Sequence, residues 1–120
     1  MSDPRPGRAV RGSTSGRPIM ALFDVLGQRW TLRVLWELHL HSPQTFRALQ
    51  GRCGEISSSV LNRRLGTLRE VALVRATGDG YCLSLLGEQL VEQLMPLLEW
   101  SQAWAASLAD TAEPQTHPSA

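Results

Sequence analysis

A chain of 120 residues, 42% of them hydrophobic, is long enough for one domain with a real core and too short for several. Its net charge of +1 hides an asymmetry: residues 1–75 carry all twelve basic residues, every one an arginine, against five acids, whereas residues 76–120 carry six acids and no base. Two cysteines, Cys53 and Cys82, exclude a disulfide scaffold and a four-ligand zinc site, and the early sequence has neither a signal peptide's apolar run nor a membrane span. A reduced, cytoplasmic setting is expected, with a basic front half suited to polyanions.

Residues 1–18 read as a flexible arm, with Arg5, Arg8, Arg11 and Arg17 spaced among Gly, Ser and Pro. Ile19, Leu22, Phe23 and Leu26 then recur at helical spacing and predict a first helix closed by Gly27. A second helix is expected from Gln28 to Leu40, ended by Ser42-Pro43. Its face of Trp30, Val34, Leu35 and Leu38, widened by Leu32 and Trp36, predicts burial on more than one side.

Thr45 to Gln50 predicts a short helix capped by Thr45 or Ser42, with Phe46 and Leu49 inward, followed by a turn from Gly51 to Glu55. Cys53 in that turn adjoins Arg52, a cation able to favour the thiolate, so a redox role for it is carried as a candidate. From Ser57, a good N-cap, the chain reads as an amphipathic helix to about residue 70. Leu61, Leu65 and Leu68 share one stripe, while Ser59, Arg63, Gly66 and Glu70 fall opposite, flanked by Asn62 and Thr67. Small polar and basic side chains on one helix face suit a DNA major groove, where Arg reads guanine, Asn reads adenine, and Ser and Thr read either. Short helix, turn and amphipathic helix together make a helix-turn-helix.

Leu73 to Ala76 and Tyr81 to Leu83 flank Thr77-Gly78-Asp79-Gly80 and predict a small β-hairpin. Helix-turn-helix followed by a hairpin is the winged-helix order. The hairpin is nearly minimal; Asp79 at its tip would be repelled by phosphate, leaving Arg75 as its one basic contact candidate. Ser84 caps a last helix expected to run to about Ala109 and to kink at Pro96. There Leu90, Leu94, Leu97, Ser101, Trp104 and Leu108 alternate spacings of four and three, a heptad seam that predicts a dimer interface. Residues 110–120 read as a disordered tail. The predicted fold is mainly α with a small β-hairpin: a winged helix over residues 19–109 with a long C-terminal dimerisation helix.

Gly27-Gln28-Arg29-Trp30-Thr31-Leu32, Pro43 through Thr45-Phe46-Arg47-Ala48-Leu49, Ile56 through Leu65, Leu73-Val74, Tyr81, Leu83-Ser84, and Glu99-Trp100 with Trp104 stand in an order that resembles the HxlR-type winged-helix transcriptional regulators. The likeness covers about residues 19–108. It implies a homodimer of bacterial type, joined through its terminal helices and associated with the nucleoid, on double-stranded DNA. On that analogy Arg29, Thr45 and Arg47 meet phosphates, as do Arg64 and Thr67 on the reading helix beside the base-contacting residues. Ser58, Ser59, Asn62 and Arg63 reach base edges. Leu90, Leu94, Leu97, Trp100, Trp104 and Leu108 make the dimer contact. Many relatives carry a sensor cysteine before the first helix; Arg17-Pro18-Ile19 stands there in this chain, so that sensor does not carry over.

No nucleophile, base and orienting group are grouped for catalysis, so an enzyme is not expected, nor a cofactor or metal. A small-molecule effector remains open, although Trp30, Trp36, Trp100 and Trp104 read first as core indoles. The competing reading is a winged-helix module that binds protein, its arginines merely solvated. Local residues do not define an operator sequence or the sign of regulation.

Overall fold

The computed structural model describes residues 17–112, in two compact units divided between Gln89 and Leu90. The first opens with α1 (Pro18–Leu26), in which Pro18 sits where a missing N–H costs nothing and the Arg17 carbonyl accepts from Met20 and Ala21. Ala21 and Val25 are buried, whereas Ile19 and Phe23 are exposed on the other side. Residues 1–16 of the expected arm lie outside the described residues, and Pro18 already belongs to α1.

The second helix, α2 (Thr31–Leu40), starts three residues later than Gln28. Trp30 has φ +78°, a left-handed conformation that no helix interior allows, so it precedes the helix instead of opening its apolar stripe. Thr31, Val34, Leu35 and Leu38 are buried, but Leu32 and Leu40 are about half exposed. The helix is therefore covered along one stripe, not on several sides.

Thr45 caps α3 (Phe46–Cys53), its hydroxyl accepting from the Ala48 N–H at 3.1 Å. This helix runs through Gly51, which the sequence suggested would end it. The chain turns instead at Gly54, where φ is +91°. After the short turn comes α4 (Ser58–Glu70), with Ser57 accepting from the Val60 N–H at 3.2 Å as its N-cap. Leu61, Leu65 and Leu68 are buried as the periodicity predicts.

Two antiparallel strands, β1 (Val74–Thr77) and β2 (Gly80–Leu83), form the hairpin, with Val74 opposite Leu83 and Thr77 opposite Gly80. Gly78-Asp79 is the whole loop. Gln44 adds a bridge to β2, exchanging backbone hydrogen bonds with Tyr81 at 2.7 and 2.9 Å. At Gly80, φ is +130° and a Cβ would collide with the Gln44 carbonyl, so only glycine lets the wing lie this close to the start of α3. Ser84 accepts from Gly87 N–H at 3.0 Å, donates to the Ala72 carbonyl at 2.6 Å, and so starts α5 (Leu85–Leu94).

The expected single kinked helix is two. Met95 lies outside both α5 and α6 (Pro96–Ala112). Proline has no N–H to donate and disfavours helical geometry in the residue before it, so Pro96 ends one helix and opens the next. Asp110–Ala112, expected in the tail, close α6; residues 113–120 lie outside the described residues. Leu97, Leu98, Trp100, Trp104 and Leu108 are exposed, and the Trp100 and Trp104 rings stack at 5.7 Å. These two indoles are therefore not core residues of the single chain. No helix of the described residues is long and apolar enough to cross a membrane.

Two glycine substitutions separate packing from propensity. Gly66 on α4 is exposed, and an added Cβ meets nothing within 4 Å, so Gly66→Ala should stabilise by about 0.5–1 kcal/mol. Gly80→Ala should destabilise by roughly 2 kcal/mol or more through strain and the clash with Gln44. Urea unfolding midpoints of the two variants check both signs.

Candidate nucleic-acid interface

The helix-turn-helix is built by local capping and then fixed by contacts remote in sequence. Burial of Leu49 and Cys53 on α3, of Ile56 in the turn, and of Leu61, Leu65 and Leu68 on α4 roots one side of the motif in the core. A helix advances 100° per residue, so this stripe turns Ser59 and Arg63 outward with Asn62 at the flank, whereas Ser58, three residues before Leu61 and seven before Leu65, is open because it begins the helix; all four are exposed. Gln50 staples the turn: its Nε2 donates to the Ile56 carbonyl and to Ser58 Oγ, both at 3.2 Å. Ser58 keeps its own O–H to donate. Ser59 Oγ lies 3.4 Å from Ser57 Oγ, while Asn62 and Arg63 make no hydrogen bond or ion pair among the described residues.

Two arginines hold the motif against its neighbours. Arg33 on α2 pairs through Nε with Glu37 at 2.9 Å and donates through Nη2 to the Arg52 carbonyl at 2.8 Å, satisfying the end of α3. Arg64 on α4 donates through Nε to the Arg29 carbonyl at 2.6 Å, tying α4 to the loop between α1 and α2. Partial burial, and then the neighbouring Arg63, lower the Arg64 pKa from its usual value, yet a guanidinium stays charged at any physiological pH. The Arg29 guanidinium lies 5.6 Å from the Trp30 ring centre, a cation–π distance.

Of the residues expected at phosphates, Arg29, Arg47 and Arg75 are exposed, Thr45 is exposed with its hydroxyl used in capping, and Arg64 and Thr67 are half-buried. Arg63, Arg64 and Thr67 meet around one open cleft of about 600 Å³, opposite Phe23, Asp24, Gly27 and Gln28. Arg75 stands apart on β1, opposite Cys82. The wing tip is closed by Thr77, whose Oγ donates to the Gly80 carbonyl and accepts from the Asp79 N–H. Its exposed acid is Asp79.

Sequence reasoning missed Gln44, Gln50 and Arg33, because each acts on a backbone carbonyl that no pattern marks. Gln44 is the most constrained: it is buried, and its Nε2 donates to the Glu37 and His41 carbonyls at 2.9 and 2.6 Å. The expectation for Cys53 is corrected. Its thiol is buried within α3, the nearby cation is Arg33 rather than Arg52, and burial outweighs that cation to raise the pKa. A raised pKa leaves Cys53 a protonated, shielded thiol.

A helix-turn-helix whose second helix presents an exposed polar and basic face, followed at once by a hairpin, defines a winged-helix DNA-binding domain. The HxlR-like helix-turn-helix family model matches residues 25–109. An uncharacterised HTH-type transcriptional regulator of Methanocaldococcus jannaschii is 26% identical over 90 residues, 71% of this chain and 83% of the relative. The crystal structure of a candidate HxlR family transcriptional factor from Thermoplasma volcanium superposes with a TM-score of 0.64 at 27% identity, covering 71% of this chain and 82% of that one. Quinone-bound YodB from B. subtilis does so with a TM-score of 0.61 at 26% identity, covering 74% and 96%. The chain belongs to the HxlR-like helix-turn-helix family and is a DNA-binding transcriptional regulator of that type.

The burial difference between the thiols is directly readable. In the native protein a maleimide should modify half-buried Cys82 at least about tenfold faster than Cys53, and the two rates should converge in denaturant, as followed by mass spectrometry.

Proposed function

We propose that the protein is a homodimeric, sequence-specific regulator that reads a roughly palindromic operator by laying α4 in the major groove. The observation that carries this reading is the exposed polar face of α4, on which Asn62 and Arg63 make no hydrogen bond or ion pair among the described residues. Asn62 can pair with an adenine edge, Arg63 with guanine, and Ser58 and Ser59 with either, each good bidentate pair discriminating by about 1–3 kcal/mol. Arg29, Arg47, Arg75, Thr45, Thr67 and the Nη groups of Arg64 serve the phosphates. The wing contributes little beyond Arg75, since its tip carries Asp79.

Dimerisation through Leu90, Leu94, Leu97, Trp100, Trp104 and Leu108 is supported by the last four, all exposed and apolar on α6. A buried Trp removes about 150–250 Å² from water, enough for a pair of them to matter at an interface. Two copies would place two α4 helices on half-sites about one helical turn, roughly 34 Å, apart or a multiple of it. Regulation by a small molecule belongs to this reading; the similar YodB structure holds a quinone. In this chain the cysteines are Cys53 and Cys82, neither near α1 in sequence, so a thiol before the first helix is not the sensor.

Two measurements test the reading. Duplex binding followed by fluorescence anisotropy should weaken by roughly 0.9 log unit per log unit of salt for each phosphate neutralised, and Arg47→Ala should reduce that slope by about one contact. A salt-insensitive association would instead point to a protein partner. Trp104→Asp should convert a dimer to a monomer in sedimentation equilibrium, weaken binding to a two-half-site duplex by about a hundredfold, and remove the concentration dependence that a dimer gives to thermal unfolding. A wild-type monomer at micromolar concentration would contradict the dimer.

A further inference from the structure

The open cleft between α1 and α4 has an unusual mixture of walls. One side is the exposed Phe23 ring with Gly27 and Gln28; the other is Arg63, Arg64 and Thr67. Its volume of about 600 Å³ falls within the roughly 300–1,000 Å³ of small-molecule sites. Two adjacent guanidiniums line it against a single acid, Asp24, which lies within ion-pair distance of neither. Arg64 spends only its Nε, on the Arg29 carbonyl, and Arg63 spends nothing among the described residues. Like charges side by side repel, and the Arg63 charge is felt at Arg64. An anion placed between them would relieve that repulsion, taking the Nη donors of an Arg64 already anchored through Nε and the unused donors of Arg63. An aromatic body attached to the anion would reach the Phe23 face, where offset stacking is available.

We propose that this cleft is a binding site for a small aromatic carboxylate, its anionic group held by Arg63 and Arg64 and its ring packed on Phe23. Neither guanidinium can serve such a ligand and DNA at once. The ligand therefore competes with the duplex, a consequence that rests on the DNA-reading role given to α4 above, whereas the site itself does not. Arg64 also anchors the loop before α2, so occupancy of its Nη groups acts on the side chain that positions Arg29. The cleft is open to solvent, and affinity on the order of 1 mM or somewhat tighter is expected for a two-ring acid.

The test uses the full-length protein and 1-naphthoate as probe, with 1-naphthamide as its neutral counterpart, followed by amide chemical shifts. Saturable 1-naphthoate shifts are expected at Gly27 and Thr67, with binding about tenfold weaker for the amide and for Arg63→Gln. Asp24→Asn removes the one opposing charge and should tighten binding about threefold, a gain that misfolding cannot imitate. Absence of saturation, equal binding of acid and amide, or no gain in Asp24→Asn would overturn the site. Added 1-naphthoate should also release a bound duplex. Saturable binding without release would overturn the competition and leave the site, and failure of any duplex to bind would count against the DNA reading while the shift titration still decides the cleft.

Discussion

A helix can be rolled about its axis only as far as its buried stripe permits, and that constraint governs this molecule. Leu61, Leu65 and Leu68 are almost wholly removed from water, each worth about 1.5–3 kcal/mol of burial, and any rotation of α4 would expose them. Their setting decides that Ser59 and Arg63 face outward with Asn62 beside them, while Ser58 is open at the start of the helix. The reading face is thus specified by the side of the helix that never meets DNA.

What the leucines cannot fix is the position of α4 relative to the elements beside it, and polar side chains reaching backbone carbonyls do that. Gln44 ties the end of α2 to the start of α3 and, through its backbone, to the wing; Arg33 ties α2 to the end of α3; Arg64 ties α4 to the loop before α2. The neutral Gln44 bonds contribute about 0.5–1.5 kcal/mol each, and the exposed bonds from Arg33 and Arg64 are held below the roughly 1.5–3 kcal/mol of a charged donor because water can take the carbonyl. Arg64 sits at the junction of two roles, since the same guanidinium holds the Arg29 loop and lines the cleft beside Arg63. A charge change there bears on loop position and on the reading face together.

Much of this was legible in the sequence because its causes are local. Ser57 and Ser84 announce two helix starts by their hydroxyls and Thr45, with Ser42 as its rival, a third; the leucine spacing announces the buried side of α4, and Gly78-Asp79 between apolar runs announces the hairpin. The errors were also physical. Trp30 looks like the first apolar residue of a helix but adopts a left-handed conformation, which its side chain does not advertise. Gly51 and Gly54 are both credible stops, and only the backbone reveals that Gly54 has the positive φ. At Pro96 a kink and a full break carry the same local signal. For Cys53 the adjacent Arg52 was visible and the burial was not, so the sign of its pKa shift came out reversed. The ties made by Gln44, Gln50 and Arg33 end on carbonyls, which leave no trace in side-chain identity. The base-contacting residues themselves follow from helix periodicity together with family likeness, and they stand as a proposal about α4.

Selection of bound duplexes from a random DNA pool, run in parallel on the wild type and on an Asn62→Ala, Arg63→Ala double variant, separates sequence reading by α4 from general phosphate attraction. The wild type is expected to enrich an inverted repeat, and the double variant, still folded, to lose the enrichment while keeping salt-sensitive nonspecific binding. Enrichment of the same repeat by both proteins would contradict the placement of specificity on α4, and no enrichment by the wild type at low salt would contradict sequence reading altogether.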